Sequence, residues 1–76
     1  MADFHLHFTN EGEVYLTPHS ERGTAWFAGY RRRLRFCKDF DVDTFEIPLE
    51  DADALTDAAQ EDGYEVSARR EDRTEV

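Results

Sequence analysis

A chain of 76 residues with one cysteine, Cys37, has no disulfide framework and no four-cysteine zinc site to support it. Whatever fold it adopts must be held by packing. At this size a folded chain buries only about 63% of its extended surface, which allows one domain of modest stability. The material for a core is present: 39% of the residues are hydrophobic, with six phenylalanines, three tyrosines and one tryptophan. Disordered chains lack aromatics at this density.

Two periodicities divide the chain. Phe4, Leu6 and Phe8 alternate with His5, His7 and Thr9, which predicts a strand with one buried face. Asn10-Glu11-Gly12 offers a short hairpin loop, and Glu13 to Leu16 returns with Val14 and Leu16 on the core side. Thr17-Pro18 predicts a helix from Pro18 to about Gly29, capped by the threonine and opened by the proline. His19, Gly23, Trp26, Phe27 and Tyr30 would form its packing stripe. Leu34 and Phe36 alternate with Arg33 and Arg35, as a strand with its arginines in solvent would. The buried parity then slips between Phe40 and Val42 on one side and Phe45 and Ile47 on the other. That slip requires a turn or bulge near 37–43, followed by a strand over Thr44–Ile47. Leu49 to Asp62 reads as a second helix packing through Ala52, Leu55 and Ala59, closed by Gly63. Tyr64, Val66 and Ala68 alternate as a last strand.

The order β-β-α-β-(β)-α-β predicts an α+β fold. It would be a two-layer sandwich in which a mixed or mostly antiparallel sheet of four to five strands carries both helices on one face. Residues 1–68 form the expected domain, and 69–76 a frayed tail.

Charge is segregated along this frame. The net charge is −9. Residues 1–21 hold four acids and no base, 22–38 six bases and no acid, and 39–65 eleven acids and no base. The first expectation is that the basic and acidic blocks pair across neighbouring elements. A surface this acidic repels a phosphate backbone, which argues against direct nucleic-acid binding. The opening MADFHLHF has an acid where a secretory signal has a basic region, and no apolar run is long enough to cross a bilayer. A soluble cytoplasmic protein with no membrane partner is the expectation.

Few residues combine into recognisable chemistry. His5 and His7 share a strand face and could join His19 or Cys37 around a metal, but only the first pairing follows from spacing. Solvent-facing histidines are the simpler reading. Cys37 follows a basic run that would favour its thiolate, yet no base or orienting group accompanies it. Asp39, Asp41 and Asp43 have the rhythm of a calcium loop, but Thr44 stands where the turn glycine belongs. No phosphate-cradling glycine motif occurs. Neither a catalytic set nor a cofactor or metal is expected.

Leu16-Thr17-Pro18 followed by Trp26-Phe27, with the later pattern from Phe45 through Leu55 to Gly63-Tyr64-Glu65-Val66, resembles a set of small uncharacterised bacterial proteins. These are often encoded near plasmid or phage genes. The resemblance carries no assigned activity and no functional residue. It implies only an accessory or mobile-element role, and the Arg31-Arg32-Arg33 block has no counterpart in it.

Two functions are compatible with these features. The first is a non-enzymatic protein-binding or regulatory module, with a possible homodimer among its forms. Its candidate interface comprises Asp51, Asp53, Asp57 and Glu61 on the acidic helix, the aromatic pair Trp26 and Tyr30, and Arg31, Arg32 and Arg33. The alternative is a nucleic-acid mimic that inhibits a restriction or CRISPR-type effector, using the carboxylates of 39–65 in place of phosphates.

Overall fold

The computed structural model describes residues 2–71. Two strands open the chain, β1 (Phe4–Phe8) and β2 (Val14–Pro18), followed by α1 (Glu21–Tyr30) and a 3₁₀ turn over Arg31–Arg33. Then come β3 (Lys38–Asp39), β4 (Phe45–Ile47), α2 (Leu49–Glu61) and β5 (Val66–Arg70). The sheet order is β3-β4-β2-β1-β5. β1 runs antiparallel to β2, β2 to β4 and β3 to β4, while β5 lies parallel to β1. The fold is therefore α+β with a five-stranded mixed sheet. Each helix is the crossover between parallel strands, α1 from β2 to β3 and α2 from β4 to β5.

Register places the apolar residues on one face. Leu6 lies opposite Leu16 and Phe8 opposite Val14, and Val14 and Leu16 in turn face Ile47 and Phe45. Phe27 of α1 and Ala52, Leu55 and Ala59 of α2 cover that face, and all but the half-buried Phe45 are buried in one cluster. The alanines let α2 lie close, and Leu55 is the one large side chain among its buried residues.

Several boundaries differ from the sequence expectation. α1 starts at Glu21, not Pro18, because Pro18 remains in β2 opposite Phe4 and Ser20 is the cap. Ser20 Oγ accepts from the Gly23 N–H at 3.0 Å. His19 thus lies outside the helix and is exposed, its N–H donating to the Asp3 carbonyl. Gly29 does not stop the helix, which runs on into the Arg31–Arg33 turn. Gly63 does close α2, at φ +90°.

The largest correction concerns residues 34–47. No strand spans Leu34–Phe36; the edge strand is only Lys38–Asp39. The parity slip is resolved by the β3–β4 hairpin, in which Asp39 faces Phe45 and Lys38 faces Glu46. Residues directly opposite share a face, so Phe40 points away from the core and packs on Tyr15, ring centroids 4.5 Å apart. Phe36 is exposed as well. At the other edge, Arg69 and Arg70 are the last residues of β5, and the Glu71 N–H bonds the Phe8 carbonyl. Residues 72–76 of the expected tail lie outside the described residues.

Candidate protein-binding cleft

The two helices run antiparallel over the sheet, and between the second half of α1 and the last turns of α2 lies a cleft of about 330 Å³ lined by Trp26, Gly29, Tyr30, Arg33, Ala58 and Asp62. Its α1 wall follows from spacing: Trp26 and Tyr30 are four residues apart, so they lie one above the other. Their rings stack 4.8 Å apart at 12°. Phe4 meets Trp26 edge-on from the sheet, and Tyr64 packs against Trp26 from beyond α2. Both cleft aromatics are half-buried, so they serve the core and a surface at once.

Asp62 closes the α2 side. Its carboxylate accepts the Trp26 indole N–H at 2.7 Å, which fixes the ring against the cleft. The Arg33 guanidinium lies over the Tyr30 ring, 5.4 Å from its centroid. Asp57 and Glu61 directly precede Ala58 and Asp62, about 100° round the helix, so an acidic row borders the cleft.

The start of α1 is braced by a buried carboxylate that sequence reasoning passed over. Asp3 accepts hydrogen bonds from Ser20 Oγ at 2.7 Å, from Arg22 Nε and Nη2, and from the Glu65 N–H at 3.0 Å. The Arg22 guanidinium above all, then the Glu65 amide and the Ser20 hydroxyl, hold its carboxyl well below the usual carboxylate range against the opposing effect of burial. Arg22 also donates to the Gly63 carbonyl and lies over Tyr64, tying the start of α1 to the α2–β5 turn. Ser20, a residue of N-cap type before an acid, was the signal that could have revealed this brace.

The candidate residues separate into distinct groups. Trp26, Tyr30 and Arg33 meet in the cleft. Arg31 instead lies over Phe45, 5.2 Å from the ring centroid, and Arg32 is exposed with no partner among the described residues. The expected pairing of basic and acidic blocks is made by Arg35, whose N–H bonds Asp51 and whose guanidinium reaches Glu50 at 3.4 Å. Asp51 is therefore a structural partner of the loop. Asp53, Asp57 and Glu61 are exposed and without partners among the described residues.

The remaining candidates do not assemble into a reactive site. His5 bonds Ser67 and His7 bonds Glu71 on the uncovered sheet face, and no three metal-ligating groups converge among the described residues. Burial pushes the Cys37 thiol up, and Arg31 opposes this only in part. The basic run therefore does not activate it. No helix among the described residues is long and apolar enough to cross a membrane. Set against models of protein families, curated proteins and solved structures, the chain has no match among them.

Proposed function

We propose that this protein is a non-catalytic, cytoplasmic binding module that holds a basic segment of a partner protein along α2, with one side chain of that segment in the Trp26–Tyr30 cleft. The observation that carries this reading is the row of Asp53, Asp57 and Glu61, exposed and unpaired among the described residues along the solvent face of α2, the helix whose Ala58 and Asp62 wall a preformed aromatic cleft. A lysine or arginine entering the cleft would compete with Arg33 for the Tyr30 ring and would meet the Asp62 carboxylate, the combination that attracts a cation. The acids at the C-terminal end of α2 support the reading further, because negative charge there opposes the helix dipole. Their position gains nothing for the helix itself.

The test is capture of partners by the tagged chain, repeated with Asp53, Asp57 and Glu61 changed to asparagine or glutamine, and separately with Tyr30→Ala. A single partner lost in both variants supports the module. A partner indifferent to both variants overturns it.

A second reading draws on the same row. Carboxylates four residues apart on a helix are spaced by about 6 Å. With no base on that side of α2 they could stand in for phosphates. The mimic would compete with DNA or guide RNA for a basic effector; failure to displace either removes this reading and leaves the first intact.

A further inference from the structure

Four large apolar side chains are exposed among the described residues, and three of them, Phe36 at 39%, Phe40 at 62% and Val42 at 89%, fall within one short segment around β3. β3 is an edge of the sheet. The Phe40 N–H donates to the Thr44 carbonyl at 2.9 Å, so the even-numbered residues here bond towards β4. In an antiparallel ladder the alternate residues then turn their backbone groups outward, which leaves the N–H and C=O of Cys37 and Asp39 facing away from the sheet. An edge of this kind is a template for another strand.

The apolar residues around that edge mirror one another about Lys38, Phe36 against Phe40 and Leu34 against Val42. Residues 34–42 read Leu-Arg-Phe-Cys-Lys-Asp-Phe-Asp-Val. Pairing this edge with itself, antiparallel about a two-fold axis, must set outward groups against outward groups. With Cys37 opposite Asp39 of a second copy, Phe36 lies opposite Phe40. Of the two neighbouring registers, one sets Asp39 against Asp39 and is disfavoured by charge, and the other sets Cys37 against Cys37 with a lysine on each Phe36, which leaves both Phe40 rings uncovered. One like-charge contact remains in the first register, Lys38 against Lys38, and Glu46 sits directly opposite each lysine on the same face to offset it. We propose that this chain pairs with a second copy of itself along β3, antiparallel, with Phe36 of each copy against Phe40 of the other. The two sheets then continue as one, and the phenylalanines are covered at the join.

Sedimentation of the full chain over a concentration series tests this. The expected result is a dimer in reversible equilibrium. Asp39→Pro removes an outward N–H while leaving the β3–β4 bonds of Lys38 and Phe40 in place. It should raise the dimer dissociation constant by at least about tenfold without lowering the melting temperature measured at concentrations where the unaltered chain is monomeric. Phe36→Lys should do the same without touching the backbone, which covers the case of a proline variant that fails to fold. Asp39→Cys should form disulfide-linked dimers through the native Cys37, because hydrogen-bonded antiparallel neighbours lie within disulfide reach at about 5.5 Å. A chain that is monomeric at every concentration overturns the proposal. So does a dimer that Phe36→Lys leaves unweakened, or a cross-link that maps elsewhere.

Discussion

Asp3 shows how much one side chain can hold in a protein this small. It joins the first residues of β1, the cap of α1 and the turn before β5 through four hydrogen bonds. Its carboxyl is held low, so the unfolded chain takes up protons before the folded one does as the pH falls. The stability it contributes is complete above the ordinary aspartate range near 3.9 and is lost progressively below it. His5 acts in a higher window. Burial, then the neighbouring His19 and His7, lower its pKa, so the unfolded state protonates first and stability begins to fall near pH 6.5. Denaturation midpoints measured across pH should therefore decline in two stages, with Asp3→Asn removing the lower and His5→Gln the upper. Gly23 supports the same brace from the helix. A Cβ there would stand 2.9 Å from both the Asp3 carbonyl oxygen and Ser20 Oγ. Gly23→Ala should cost about 1–3 kcal/mol in urea denaturation despite the better helix propensity of alanine.

Among the elements, α2 divides its duties by face. Leu55 is fully buried, and Leu55→Ala should cost about 2–5 kcal/mol by the same measurement. The opposite face has no such role. Glu61→Lys should raise the melting temperature, because it places a cation where the helix dipole favours one, and should weaken partner capture. A variant that gains neither stability nor loses binding would mean the acidic face is only a solvated surface. The apolar rhythm of α2 was legible in sequence, since its period of 3.6 runs uninterrupted from Ala52 to Ala59. The start of α1 was not. Thr17-Pro18 and Ser20 are both sound entry signals, and the choice between them was made by β1, which keeps Pro18 in the sheet opposite Phe4.

At the scale of the molecule, the parallel pairing of β1 with β5 joins residues more than sixty positions apart, including Phe4 with Val66 and Phe8 with Arg70. Glu71 fastens the end of that pair, donating its N–H to Phe8 and accepting the Asn10 N–H at 3.2 Å. A chain ended after Ala68 should therefore melt at a lower temperature than the full chain, with the loss confined to β1–β5 protection in hydrogen exchange. The same scale decided the charge pattern. Opposite blocks adjacent in sequence suggested pairing between them, but the crossover through α1 delivers Arg31 and Arg33 onto aromatic rings. Among the described residues only Arg35 bonds the carboxylates of α2, and Asp53, Asp57 and Glu61 face solvent.

The sequence alone determined the class of fold, the five apolar positions of β1 and β2, and the buried side of α2. These depend on period, and period is a local property of neighbouring residues. Tertiary structure decided which face Phe36 and Phe40 occupy, where α1 begins, which arginines meet carboxylates, and that Trp26 and Tyr30 meet Asp62 across a cleft. Each of these depends on which strand lies beside which, and strand order is fixed only when distant segments bury their apolar faces together.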